Sequence, residues 1–259
     1  MNLTLIVLAL LLGSPSDPAP VPAVPQETQV GEATQAPSAD ALVATFTKYQ
    51  IAVIRKGSAW TKDADAKLHK MMQEHGDYWQ KMVDEGKLLG VARTVNPKDV
   101  LGLIFFKIQD KDEMKKVDAD APAIKAKLLT ADIRTVWGSH GLGAGAKDAM
   151  GNMQKKPEAE TYYLVAMNKG AKWSSKSDSP ETRKATSEGM KYLYGLYKGG
   201  SLRWFGALED MTGKLRNILI LKAASADEAM KMIKDSPSVK SQWFTPMVYE
   251  VKVPEGIIP

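Results

Sequence analysis

Across 62–86 the apolar residues Leu68, Met71, Met72, Trp79, Met82 and Val83 recur at steps of three and four, the spacing that gathers them on one face of a helix. The stretch 180–198 places Tyr192, Leu193, Leu196 and Tyr197 in the same way. Each pattern runs into a glycine, Gly86 in "EGKLLGVA" and Gly200 in "GGSLRWFGAL", and glycine is the common helix terminator. Two β-like runs follow each helix, 87–94 and 99–108 in the first case, 201–208 and 214–222 in the second, separated by Asn-Pro or Thr-Gly turn signals. A second helical pattern comes next, "KDEMKKVDADAPAIKAKLL" in one half and "ADEAMKMIKDSPSVKSQWF" in the other. Both contain Asp-x-Pro-x-(Ile/Val)-Lys, at Asp120/Pro122/Lys125 and Asp235/Pro237/Lys240, where a proline should kink or restart the helix. A last β-like run closes each half, 132–139 and 247–254.

The opening strand is duplicated as well. "YQIAVIRKGSAW" (49–60) and "YYLVAMNKGAKW" (162–173) put Tyr49 on Tyr162, Lys56 on Lys169, Gly57 on Gly170 and Trp60 on Trp173. The order is therefore β-α-β-β-α-β twice, an α+β arrangement of two tandem ferredoxin-like repeats. Each unit has helices on one face of an antiparallel sheet and leaves the other face bare. The expected solution is sheet-to-sheet packing of the repeats as an intrachain dimeric α+β barrel. The first repeat is placed at 46–140, the second, more degenerate one at 160–259, and the Gly-rich 141–159 between them reads as a flexible linker.

The chain of 259 residues, 44% hydrophobic, has ample material for such a core. Its longest apolar run, "LTLIVLALLLG" (3–13), is too short to span a bilayer and reads as the h-region of a signal peptide over 1–13, so export to a secreted or periplasmic location is expected, with no stable membrane insertion after cleavage. Residues 14–45 are rich in Pro, Ala, Gln and Thr and read as a disordered tether. The acids of the first forty residues (Asp17, Glu27, Glu32 and Asp40) meet no Lys or Arg there, so the body is more basic than the whole-chain charge of +5. There is no cysteine, which excludes disulfides, thiol nucleophiles and thiolate metal sites. The three histidines, His69, His75 and His140, have no metal-binding spacing. No metal or cofactor is expected.

An opening strand ending in Lys-Gly-x-x-Trp, a helix with His75, Tyr78 and Trp79 before "EGKLLG", and Asp120 and Pro122 before "AIKAKLLTADI" together resemble the YCII-related domain family, well over 46–140 and more weakly over 160–254. The resemblance implies a dimeric α+β barrel and an acid/base dyad made of His75 and Asp120, with elimination chemistry on aromatic rings in some relatives. Asp120 stands one residue further from its proline than the family pattern has it. The second repeat keeps Asp235 but has Gly189 where the first has His75.

His75 lies within an apolar helix stripe, which fits a hydrogen-bonded core histidine or a titratable group lining a cleft. Trp60 and Trp173 read as caps over the barrel end, Lys56 and Lys169 as exposed lysines, and His69 and His140 as solvated. RNA recognition would need stacking rings on the third strand of each unit, where "VLGLIFFKI" and "KLRNILILK" offer none at the required place, so no nucleic-acid partner is expected. The expectation is an exported protein that binds a small anionic or aromatic molecule in the first repeat's cleft, with His-based acid/base turnover of lyase or isomerase type. The alternative is a ligand-binding or scaffold protein that retains the barrel without the chemistry. A homodimer of the pseudo-dimer is left open.

Overall fold

The computed structural model describes residues 46–61, 66–151, 158–174, 180–210 and 212–259. The expected signal segment (1–13) and tether (14–45) lie outside them. Eight strands form one closed antiparallel barrel: β1 (Thr47–Lys56), β2 (Leu88–Thr94), β3 (Val100–Phe106), β4 (Leu129–Gly138), β5 (Ala159–Lys169), β6 (Leu202–Leu208), β7 (Leu215–Leu221) and β8 (Phe244–Pro254). Around the ring the order is β1-β3-β2-β8-β5-β7-β6-β4. The first four strands thus form one arc and the last four another, and the arcs join edge to edge through β2–β8 and β4–β6. Closure leaves no unpaired sheet edge.

The helices are α1 (Ala66–Asp84), α2 (Lys111–Asp120), α3 (Pro122–Lys125), α4 (Ala146–Met150), α5 (Pro180–Lys198), α6 (Ala226–Lys234) and α7 (Pro237–Lys240). α1 and α5 have the same length, 19 residues each, and the same ending. Gly86 (φ 68°) and Gly200 (φ 74°) adopt the left-handed conformation, while Lys87 N–H and Ser201 N–H reach back five residues to the Met82 and Leu196 carbonyls. That is the Schellman stop, and glycine takes it at least cost. The prolines restart the second helices as expected. Ala121, before Pro122, is extended at φ −64°, ψ 125°, because a following proline ring disfavours helical backbone.

The barrel interior is centred on Trp204, fully buried, its ring 6.0 Å from Tyr49 and 5.8 Å from Phe105. Its indole N–H donates to the Ser139 carbonyl at 2.9 Å, so the polar end of this large apolar group is satisfied. Gly138 and Gly206 face each other across the β4–β6 seam, and a Cβ on either would come within 2.4 Å of the Trp204 ring. Two glycines at this seam are what lets the indole fit.

The segment between the two halves begins as packed structure. Leu142, Ala146 and Met150 are buried, and Gly143 and Gly145 donate to the carbonyls of Ile257 and Gly256 in the C-terminal tail. The glycines read as flexibility in the sequence serve close approach here: a Cβ on Gly143 would lie 2.6 Å from that of Leu89.

Candidate functional site

The duplicated Lys-Gly-x-x-Trp motif is a backbone junction. Gly57 N–H donates to the Leu128 carbonyl and Gly170 N–H to that of Trp243, and a Cβ on either glycine would come within 2.1 Å or 2.2 Å of a carbonyl oxygen. The lysine lies over the tryptophan, with Lys56 Nζ 5.5 Å from the Trp60 ring centre and Lys169 Nζ 5.8 Å from that of Trp173. The motif therefore fixes a tryptophan at the same place in each half. What surrounds the two tryptophans differs.

In the second half a cavity of about 500 Å³ opens between α5 and the outer face of the barrel. Its floor is Met167 on β5, Phe205 on β6 and Leu219 on β7, its roof Ala185, Gly189 and Leu193 on α5, and its end wall Trp173, Trp243 and Phe244. Trp137, 42% exposed, stands at the rim. Arg216, only 3% exposed, is the charged group in the wall, joined by Asn217 and Ser238.

A β-bulge delivers that arginine. In the β5–β7 ladder Met167 pairs with Asn217 and Asn168 with Leu215, so Arg216 is the extra residue, and a bulge re-aims the side chain it carries. The guanidinium donates to the carbonyls of Leu208, at 3.1 Å, and Asp210, and lies 5.6 Å from the Trp173 ring centre. Burial lowers its pKa, partly offset by the nearby Asp210 carboxylate. Asp210 is itself ion-paired with Arg134 at 2.9 Å.

The first half puts larger side chains at the corresponding positions. Since α1 and α5 match residue for residue, Met71 stands for Ala185, His75 for Gly189 and Trp79 for Leu193. His75 is 3% exposed, and its Nε2 accepts the Trp79 indole N–H at 2.9 Å, with the rings edge to face. Burial pushes its pKa down to about 4, so the ring is neutral at physiological pH. Because Nε2 is an acceptor, the ring proton sits on Nδ1, which has no partner.

The structure does not bring Asp120 to His75. Asp120 ends α2 with 63% of its side chain exposed and is bound to Lys125 at 2.9 Å, while neither nitrogen of His75 meets a carboxylate. The extra residue before Pro122 is the physical reason: α2 completes its last turn with Asp120 outward, and Ala121, fully buried, takes the inward place. Asp235 repeats this arrangement with Lys240 at 2.9 Å. Asp118, two residues before Asp120, is pushed up to about 6 by burial. His140 is exposed, as expected, and His69 is half-buried.

The sequence reading did not single out Arg216, Trp243 or Phe244. One signal was present: Arg216 is a charge inside a mostly apolar strand, "LRNILIL", and a buried charge is seldom retained without a partner or a use.

Comparison with solved structures finds the same fold in chlorite dismutases. The chain matches TA0507, a candidate chlorite dismutase, over 82% of its own length and 96% of the other, with a TM-score of 0.53 and 9% identity. A mutant of the chlorite dismutase from Candidatus Nitrospira defluvii matches over 85% and 96% of the two chains, with a TM-score of 0.53 and 9% identity. The same protein in complex with imidazole matches over 81% and 91%, with a TM-score of 0.50 and 8% identity. At such identities the likeness carries the ferredoxin-like α+β barrel fold and nothing of the reaction. By sequence the chain matches no family model, the YCII-related one included, and no curated protein.

Proposed function

We propose that this chain binds a small aromatic acid in the cavity of its second half. The observation that carries the reading is a pocket of about 500 Å³, walled by Trp173, Trp243, Phe244 and Phe205 and containing the buried guanidinium of Arg216. Its size is that of a small-molecule site, and mostly apolar walls with a few fixed polar groups are the usual composition of one. An aromatic ring gains by tilted or edge-on packing against such walls. A carboxylate beside Arg216 gains charge-assisted attraction from a guanidinium already held in place by the Leu208 and Asp210 carbonyls, in a desolvated place where such attraction is strong.

The reading favours binding without turnover. Acid/base chemistry by His75 and Asp120 has little support, because the imidazole takes its hydrogen bond from Trp79 and the carboxylate is outside. We further propose that the two halves descend from one duplicated βαββαβ unit of YCII-like type, the second emptied on its helix face while the first was filled. Export rests on the apolar run at 3–13; intact-mass analysis of the protein recovered from its native cell fraction tests it, and a product retaining Met1 speaks against it.

The binding reading is tested by calorimetric titration of the full chain with 2-naphthoate and, as the uncharged control, 2-naphthamide. Saturable binding of the acid is expected, weakened by at least about tenfold for the amide, the cost of losing a charged hydrogen bond. The double variant Ala185→Met, Leu193→Trp copies the first half's residues at these places and should abolish binding while leaving the fold intact. Equal binding by that variant overturns the proposal.

A further inference from the structure

Four buried side-chain polar atoms lack a partner among the described residues, and all belong to the first half: Trp60 Nε1, His75 Nδ1, Arg93 Nε and Thr94 Oγ1. Thr94 pairs with Val251, which is fully buried in the barrel, so it faces the interior. The other three lie under the helices. Trp60 corresponds to Trp173 and His75 to Gly189. Arg93 corresponds to Ala207, because it pairs with Gly102 and Lys252 as Ala207 pairs with Asn217 and Trp137. Trp173, Gly189 and Ala207 all line the cavity described above. A loop, a helix and a strand therefore bring the three first-half residues around the corresponding space under α1.

All three atoms are hydrogen-bond donors. An indole and a guanidinium have no acceptor to offer, and the His75 ring, with Nε2 engaged by Trp79, presents Nδ1–H. A buried donor with no acceptor carries the full cost of its desolvation. No carboxylate pairs with Arg93 among the described residues, and burial is what acts on it. Across the seam its neighbour is Lys252, whose ammonium donates to Thr161 Oγ1, where the second half has Trp137. With Met71 and Trp79 in place of Ala185 and Leu193, larger side chains stand at this place than in the second half.

We infer that the first half holds a small oxyanion, a carboxylate or an inorganic oxyanion, between Trp60, His75 and Arg93. It accepts the three orphaned N–H groups and supplies the negative charge that the protein withholds from Arg93. This site is separate from the one proposed for the aromatic acid: it stands on different residues and takes a different ligand.

The test is an indole-resolved NMR titration of the ¹⁵N-labelled full chain with sodium formate, nitrate and phosphate, each against sodium chloride at equal ionic strength. Trp60→Phe assigns the Trp60 signal. The expected result is a saturable shift of the Trp60 indole, with that of Trp173 unmoved, and a loss of affinity of at least about tenfold in Arg93→Leu, what removal of a charge-assisted donor costs. Response to formate alone identifies a carboxylate site, and response to nitrate or phosphate an inorganic oxyanion site. A Trp60 shift that follows chloride equally and does not saturate, or unchanged affinity in Arg93→Leu, overturns the inference. If Arg93→Leu loses its dispersed indole spectrum, Arg93→Lys and Lys252→Gln take its place, and anion protection against urea unfolding that is the same in both as in the wild type overturns it as well.

Discussion

Acidification should destabilise this protein through His75, whose buried ring is kept neutral. Buried and neutral, His75 has its pKa moved from 6.5 to about 4, whereas in the unfolded chain it titrates normally. The unfolded state then binds the extra proton first, so the contribution is fully present above pH 6.5 and is lost as the pH falls toward 4. At about 1.4 kcal/mol per pKa unit, the loss between pH 7.5 and 4.5 is about 2.5 kcal/mol. Asp118 works in the opposite direction. Its pKa, raised to about 6 by burial, adds stability as the pH falls through that value, so the pH curve of the wild type alone does not isolate the histidine. Comparison with His75→Leu does, because both chains keep Asp118. The variant strands the Trp79 indole N–H, costing about 1–3 kcal/mol at pH 7.5. Urea unfolding of both chains at pH 7.5, 6.5, 5.5 and 4.5 should show the stability of the wild type relative to the variant falling by about 2.5 kcal/mol across the series. Parallel curves would mean that His75 titrates as a solvated residue, and a rise in that relative stability on acidification that it is acid-paired; either would refute its assignment as a buried neutral donor.

Three further outcomes follow from the same geometry. Trp204→Ala should cost about 3–5 kcal/mol by urea unfolding, since it empties the centre of the barrel; a much smaller loss would mean the interior repacks. Asp120→Asn, which removes only a solvent-exposed ion pair with Lys125, should leave both stability and ligand binding unchanged within error, whereas abolished binding would restore Asp120 to the site. Arg216→Gln should weaken 2-naphthoate by at least about tenfold and 2-naphthamide hardly at all, as read by calorimetry; equal weakening of both would point to a collapsed cavity rather than a lost charge.

The fold was legible because its signals are local and doubled. The helix stripes of 66–84 and 180–198, their glycine stops and the prolines at 122 and 237 each report a single turn of backbone, and the second copy checks the first. The site was less legible, because what makes it is a difference between the copies. His75, a conspicuous residue, fills space, and its absence at Gly189 helps create the cavity. Losing a side chain weakened the case for a site at that place when read along the sequence, although in three dimensions it made room for one. Arg216 depends on a bulge, a one-residue offset between paired strands that no periodicity displays. The position of Asp120 turned on the single residue between it and Pro122, a spacing visible in the sequence whose outcome, outward rather than inward, required the turn geometry.

The central claim, that the second half holds the small-molecule site, is tested most directly by a crystal structure of the full chain grown with 2-naphthoate. The account predicts the ring between α5 and the strands β5 to β7, against Trp173 and Phe244, with its carboxylate on the guanidinium of Arg216. Density for the ligand elsewhere, with side chains closed over the cavity floor at Met167 and Leu219, would contradict it.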